Sequence, residues 1–141
     1  MKEIGILNRD LASVLSKQGH GDLLMVTDAG FAISSDLDVV DISLSENVPT
    51  VMDVLFELKK YFSVEKMFMS EETRELNPSH FNQVSLAFGA GVEVETVPHA
   101  ELKKISREVK AVIRTGDFTA YGNVILVSGA GDRWNIENNS N

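Results

Sequence analysis

Apolar residues along the chain follow two spacings, which alternate from one end to the other. Residues recurring every three to four positions predict four or five helices. Short apolar runs or strict alternation predict about six strands, near residues 23–26, 39–44, 64–69, 92–97, 111–113 and 124–127. This alternation predicts a single α/β domain over residues 1–141, in three layers, with a central, mostly parallel or mixed sheet flanked by helices.

Polar residues, prolines and glycines mark where the predicted helices begin and end. Asn8 or Asp10 can cap the first helix, and Gly19 is placed to end it. Pro49 is expected to open the second helix, because proline suits a first helical turn. The chain after Gly129 is rich in Gly and Asn, so a flexible tail is expected over about residues 130–141.

Composition narrows the class of protein. Of the 141 residues 43% are hydrophobic and 24% are charged, which is typical of a folded domain, and no stretch predicts a signal peptide or a membrane span. The cytoplasm is therefore the expected location. The absence of Cys excludes disulfides, a thiol nucleophile and thiolate metal sites.

The charge balance bears on the partner. Thirteen Lys and Arg against 21 Asp and Glu give a formal net charge of -8, without a basic patch. Such a surface repels nucleic acid and anionic membranes, so neither partner is expected and a neutral small molecule fits better.

The three histidines have different sequence contexts. His20 lies between two glycines, where the backbone can approach a ligand closely, although a histidine interacting with the end of a helix fits as well. His80 follows Asn77-Pro78 in a polar stretch and is expected to be exposed. His99 follows a predicted strand, at the position where open α/β sheets bind ligands.

Two further segments carry polar groups at strand ends. Asp28 follows the first strand, where it either faces a ligand or forms an Asx-turn that breaks the strand. Tyr121-Gly122-Asn123 precedes the last strand and offers a phenol, an exposed backbone and an amide. These groups suit sugar hydroxyls, and they are also common in loops.

Several well-known motifs are absent. The two Gly-Ala-Gly segments do not form a complete dinucleotide fingerprint, and there is no GxxxxGK[ST], HExxH or GxSxG sequence. The histidines are too scattered to predict a metal site. We therefore expect no metal and no cofactor.

Gly19-His20-Gly21-Asp22, followed by Leu23 to Gly30, resembles the N-terminal signature of the D-ribose pyranase family. The sister L-fucose mutarotases typically have Asp-Ala-Asn after the strand, and Gly30 here favours the ribose side. The similarity continues in order to about residue 130, through Asp41-Ile42-Ser43-Leu44, Val48-Pro49, Ser70-Glu71-Glu72, Asn77-Pro78, Pro98-His99, Val112 to Gly116 and Tyr121 to Leu126. Relatives usually end soon after the last strand, whereas this chain continues through Trp134.

The resemblance implies an isomerase that interconverts the pyranose and furanose forms of a free sugar, chiefly ribose. It implies that His20 is the catalytic acid/base and that the sugar is bound by Asp28, His99, Lys103, Tyr121 and Asn123. It also implies a ring-shaped homo-oligomer, a decamer, with sites shared between adjacent subunits.

The expected chemistry is proton transfer. An imidazole with a pKa of about 6.5 can both donate and accept protons at neutral pH. We expect His20 to move a proton at the ring oxygen or the anomeric hydroxyl, while His99 is either a second proton relay or a hydroxyl ligand. The alternatives are a mutarotase acting on fucose or another sugar, a non-catalytic sugar binder linked to uptake, and a purely structural ring protein.

Overall fold

Five helices and six strands occur in residues 1–137, the part of the chain that the computed structural model describes. The helices are α1 (Arg9–Ser16), α2 (Val51–Lys59), α3 (Glu71–Leu76), α4 (Pro78–Leu86) and α5 (His99–Ser106). The strands are β1 (Leu23–Thr27), β2 (Val39–Asp41), β3 (Val64–Ser70), β4 (Glu93–Val97), β5 (Ala111–Arg114) and β6 (Val124–Ser128). The predicted α/β fold is confirmed.

The strands form one mixed sheet in the order β2-β5-β1-β6-β3-β4. β1 is parallel to β5, β5 to β2 and β3 to β4, whereas β6 is antiparallel to both of its neighbours, β1 and β3. Five strands therefore run in one direction. Their carboxyl ends meet the beginning of β6 at one edge of the sheet, which we call the carboxyl edge; the opposite edge is the amino edge.

Side chains at the helix starts explain several element boundaries. The Asn8 side chain accepts a hydrogen bond from the Leu11 N–H at 2.9 Å, so Asn8 and not Asp10 is the cap of α1. Thr50 and Asp53 form a reciprocal capping box, with hydrogen bonds of 3.1 and 2.9 Å. The prediction that Pro49 opens α2 is therefore wrong by two residues, because Thr50 is the cap and Pro49 precedes it.

Two apolar clusters cover the two faces of the sheet. On one face, α1, α2 and α4 pack on β-strand residues including Leu24, Val26 and Met67. On the other face, Leu102 and the rest of α5 pack on Met25, with partial cover from the segment 31–37. The arrangement is the predicted three-layer one, and its second helical layer consists of α5.

After β6 the described chain continues to residue 137 without helix or strand. This segment contains most of the predicted flexible tail, of which residues 138–141 lie outside the described residues. Among the helices of the described chain, none combines the length and apolar character that crossing a membrane requires.

Candidate active site

A cleft of about 760 Å³ opens at the carboxyl edge of the sheet. Its walls come from three places: the segment 28–32 after β1, the first turns of α5, and the long connection between β5 and β6. Of the six residues predicted for the site, five line this cleft: Asp28, His99, Lys103, Tyr121 and Asn123. The volume is in the range of small-molecule sites.

Asp28 connects the two loops that form the cleft. Its Oδ1 accepts a hydrogen bond from the Gly30 N–H at 3.0 Å, which is the predicted Asx-turn, and its Oδ2 accepts one from the Gly122 N–H at 3.1 Å. The Asp28 N–H donates in turn to Oδ1 of Asn123 at 2.8 Å. Asp28 is buried, at 7% exposure, and these three hydrogen bonds order the site whether or not the carboxylate also contacts a ligand.

Tyr121 and Asn123 present their polar groups from the loop before β6. Tyr121 has a φ of 55°, a left-handed conformation that costs a non-glycine residue on the order of 1–3 kcal/mol. Asn123 is 2% exposed, and its Oδ1 is occupied by the Asp28 N–H, so its Nδ2 is the group left to donate to a ligand. The loop therefore offers a phenol and an amide donor in a fixed arrangement.

His99 begins α5 with its backbone N–H held by Glu72. That N–H donates to both carboxylate oxygens of Glu72, at 3.0 and 3.2 Å. The imidazole ring lies edge-on to Tyr121, with 5.0 Å between the ring centres, and edge-on to Phe31 at 6.0 Å. Its Nδ1 is buried and has no hydrogen-bond partner in the described chain, which leaves it free to bond a ligand.

Lys103 lies four residues after His99, so both side chains point from the same face of α5 into the cleft. The helix geometry therefore places Lys103 beside the other predicted residues of the cleft. Its ammonium group adds a cationic donor beside the Tyr121 phenol, the Asn123 amide and the His99 imidazole, which line the same cleft.

Arg114 and Asp117 line the cleft as well, and neither was predicted for the site. Arg114 donates to Asp41 at 3.0 Å, to the Ser43 hydroxyl at 2.7 Å and to the Ala29 carbonyl at 2.8 Å. The hydrogen bond from the Ser43 hydroxyl and, less strongly, the one from Arg114 hold the pKa of Asp41 below its ordinary value. Arg114 thus joins β5 to β2 and to the loop after β1.

Asp117 is buried, and its two carboxylate oxygens accept from the Val51 N–H at 2.9 Å and the Thr119 N–H at 2.7 Å. It therefore fixes the start of α2 to the cleft loop. Arg114 is the last residue of β5 and Asp117 lies three residues later, so the strand-end criterion that drew attention to Asp28 could have drawn attention to them too.

His20 lies away from this cleft, beyond the amino edge of the sheet. Its Nε2 is 3.1 Å from Oε2 of Glu65, and its side chain is 65% exposed. β1 separates it from Asp28, and the five residues of that strand alone span about 16 Å. Within one chain His20 therefore cannot reach a sugar that contacts Asp28.

His20 lines a second pocket, of about 320 Å³. Gln18, Tyr61 and Trp134 are among its lining residues, so the segment after β6, a strand that ends at the amino edge, stays at that end of the sheet. The His20 end and the cleft are thus two separate surfaces of one chain.

The expectation that His80 is exposed is wrong. The ring is partly buried, and its Nε2 lies 3.0 Å from the Gly122 carbonyl oxygen. The polar sequence around residue 80 carried no signal for this contact, because the partner is 42 residues away in the chain. Among the residues that the structure describes, no three His, Asp or Glu side chains cluster closely enough to hold a metal ion.

A mixed six-stranded sheet with a polar cleft at its carboxyl edge defines an α/β protein that binds a small molecule. The chain belongs to the RbsD / FucU transport protein family, whose model matches residues 1–131. The family predicted from the sequence is confirmed.

Individual proteins show different degrees of similarity to the chain. The chain is 39% identical over 129 residues to the D-ribose pyranase of Pseudothermotoga lettingae, and the match covers 92% of each protein. The structure of Bacillus subtilis RbsD complexed with D-ribose is similar with a TM-score of 0.87 and 35% identity, over 92% of this chain and 98% of that one. The fucose mutarotase from Streptococcus pneumoniae, in complex with L-fucose, has a TM-score of 0.67 and 14% identity, over 89% of this chain and 94% of that one. That last likeness is one of fold alone.

Proposed function

We propose that the protein is a D-ribose pyranase, an isomerase that interconverts the pyranose and furanose forms of free ribose. The observation that carries the proposal is the convergence of five predicted sugar-binding residues, far apart in the chain, on one cleft. The identity of 39% to a D-ribose pyranase, against 14% to a fucose mutarotase, supports ribose as the sugar.

The cleft offers hydrogen-bonding groups of the kind that a polyhydroxylated ligand requires. The Asn123 amide nitrogen, the Tyr121 hydroxyl and the Lys103 ammonium can donate, and Nδ1 of His99 can donate or accept according to its tautomer. A buried hydroxyl left without a partner costs about 1–3 kcal/mol, so such a set of groups selects for a ligand that pairs with all of them.

The reaction consists of proton transfers that open and close one ring. The anomeric hydroxyl loses its proton while the ring oxygen gains one, the bond from the anomeric carbon to the ring oxygen breaks, and the open-chain aldehyde forms. Addition of a different hydroxyl to the aldehyde, with the reverse proton transfers, gives the other ring size. General acid–base catalysis contributes about 10²–10⁴-fold, and an imidazole suits this role at neutral pH.

We propose that the catalytic imidazole belongs to His20 of a second copy of the chain. The separation of His20 from the cleft of its own chain supports a site completed between subunits, since no single chain brings both parts together. A ring-shaped homo-oligomer, a decamer, in the cytoplasm is part of this proposal. His99 then serves either as a hydroxyl ligand or as a second proton relay.

Exchange NMR on equilibrated D-ribose tests the proposal. The wild-type protein is expected to accelerate saturation transfer between pyranose and furanose signals, and His20→Ala is expected to abolish this acceleration while leaving ribose binding in place. Wild-type rates in the variant would refute the role of His20. Acceleration with L-fucose and not with ribose would instead assign the protein to the mutarotases, and ribose binding without any acceleration would make it a sugar binder.

A further inference from the structure

Three consecutive carbonyl groups in the cleft loop accept hydrogen bonds from three side chains of the α3–α4 region. Asn77 Nδ2 donates to the Ala120 carbonyl at 2.7 Å, the Thr73 hydroxyl donates to the Tyr121 carbonyl, and His80 Nε2 lies 3.0 Å from the Gly122 carbonyl. Because a carbonyl oxygen only accepts, Nε2 of His80 carries the hydrogen in this contact. The three contacts show that all three donors lie on the side of the α3–α4 pair that faces this loop.

The loop that they hold has a backbone conformation that needs support. Tyr121 has a φ of 55°, which is unusual for a residue with a bulky side chain. At Gly122, an added Cβ would lie 2.8 Å from the Thr119 carbonyl oxygen and 3.3 Å from Nε2 of His80. The chain therefore passes so close to its neighbours at residue 122 that glycine is required. The carbonyl groups before and after Tyr121, those of Ala120 and Gly122, are each held by a hydrogen bond.

The donors themselves are anchored in the protein core. Thr73 is fully buried, and its hydroxyl also lies 2.8 Å from the hydroxyl of Ser70, the residue that caps α3. Val84 and Ala87, in and just after α4, are buried in the larger apolar cluster. Packing of α3 and α4 on the core thus sets the positions of the three donors.

We propose that Thr73, Asn77 and His80 form a clamp that positions Tyr121 and Asn123 for the ligand in the cleft. None of the three lines the cleft, so they are positioning residues and not ligand contacts. Asp28 holds the same loop from the other side, through the Gly122 N–H and through Oδ1 of Asn123. The role in ribose binding rests on the proposed function, whereas the role in ordering the loop does not.

The clamp gives the cleft a preformed shape. A loop that is ordered before the ligand arrives does not lose conformational freedom on binding, so rigidity contributes directly to affinity. It also keeps the Tyr121 ring edge-on to His99, at 5.0 Å between ring centres, which orients two of the predicted sugar contacts relative to each other. Loss of the clamp should therefore weaken ligand binding without removing any group that touches the ligand.

The test compares His80→Ala and Asn77→Ala with the control Gln83→Ala, which removes an exposed side chain from the same helix, α4. Two quantities are measured on each full-length protein: ribose affinity by NMR titration, and hydrogen exchange of the Gly122 amide without sugar. The Gly122 N–H is a suitable reporter because it donates within the site, to Thr119 and to Asp28. Exchange at β6 amides reports global stability.

Both clamp variants are expected to bind ribose about 10-fold more weakly, since small displacements of binding groups are costly. The Gly122 amide should exchange faster by a similar factor while β6 amides are unchanged, and His80→Gln, which retains a donor, should recover part of both effects. Gln83→Ala should match the wild type.

Wild-type affinity and wild-type Gly122 exchange in both clamp variants would overturn the clamp. A uniform increase of exchange in β6 as well as at Gly122 would overturn it too, because it would mean general destabilisation. If the wild-type protein does not bind ribose but Gly122 exchange still rises selectively in His80→Ala, the proposed function fails and the clamp stands as an organiser of the cleft.

Discussion

The carboxylate of Asp28 accepts a hydrogen bond from the backbone N–H of Gly122 at 3.1 Å, across 94 residues of sequence. This contact joins the end of β1 to the loop before β6, and Asp28 itself lines the cleft. Asp28 was predicted as a sugar-binding residue, with an Asx-turn as the alternative. The structure contains the Asx-turn together with a second hydrogen bond that the alternative did not include, so Asp28 has a structural role in addition to the proposed one.

Replacing Asp28 with Asn is expected to destabilise the protein by about 1–3 kcal/mol. The amide keeps one acceptor oxygen, but its NH₂ group then faces one of the two backbone N–H groups that the carboxylate accepts. Urea denaturation followed by circular dichroism measures the loss. Asp38→Asn, at an exposed position in the loop before β2, is the matched control and should unfold like the wild type. Equal stability of the two variants would contradict the structural role of Asp28.

Complementation tests whether the site is shared between chains. His20→Ala and Tyr121→Phe are each expected to be nearly inactive. The first lacks the imidazole, and the second lacks the phenol hydroxyl. If His20 acts on the cleft of another copy, an equal mixture refolded together should regain activity at about one quarter of its sites, because that fraction combines an intact cleft with an intact His20. Exchange NMR on ribose measures it. A mixture that is no more active than its components would mean that the site is not shared.

The acid stability of the protein is expected to depend on Asp41. The pKa of this carboxyl is lowered from 3.8 by the Ser43 hydroxyl and, less strongly, by Arg114. A lowered folded-state pKa stabilises the protein above the unfolded pKa, and this contribution is lost as pH falls through the folded value. Wild type should therefore exceed Asp41→Asn in unfolding free energy at neutral pH, and the difference should begin to shrink once the pH falls below the unfolded pKa of about 4.

The size of that difference is limited by solvent. The Asp41 side chain is 49% exposed, so screening keeps the contribution within about 1 kcal/mol. Urea denaturation between pH 3 and pH 7 measures it, with Asp38→Asn as the control for loss of a carboxylate. A difference between wild type and Asp41→Asn that grows on acidification would have the wrong sign and would exclude this account.

Local patterns in the sequence predicted the elements of the fold well, because each pattern has a local cause. The apolar run at 23–26 became β1 and the alternation at 92–97 became β4, each within about one residue of the predicted bounds. Asn8 was foreseen as a cap, whereas the Thr50–Asp53 capping box that moves the start of α2 past Pro49 was not. Pairing between distant strands, such as the antiparallel insertion of β6, is set by the whole chain and has no local signal.

The site was predictable only in part, because contacts between distant segments leave no local signal in the sequence. Asp28 and His99 were candidates because each lies just after a predicted strand, which is a local signal, and the resemblance to the D-ribose pyranase family assigned both to the sugar site. The place of His20 at the opposite edge and the contact of His80 with the Gly122 carbonyl depend on how distant segments pack. A residue that acts through such packing, as His80 does in the proposed clamp, cannot be distinguished from an ordinary polar surface residue in one sequence.

Trp134 is expected to report assembly. It is the only tryptophan of the chain, its side chain is 71% exposed, and it lines the same pocket as His20. If His20 completes the cleft of a second copy, that copy must cover the surface on which Trp134 lies, and removal of the indole from water shifts its emission to shorter wavelength. The emission maximum should therefore move to longer wavelength when the oligomer is dissociated by dilution, with sedimentation measuring the oligomeric state at each concentration.

Trp134→Phe should remove the signal and confirm its source. An assembled protein whose emission matches fully hydrated tryptophan would place the subunit contact elsewhere, and His20 could then not be the imidazole that acts on a neighbouring cleft.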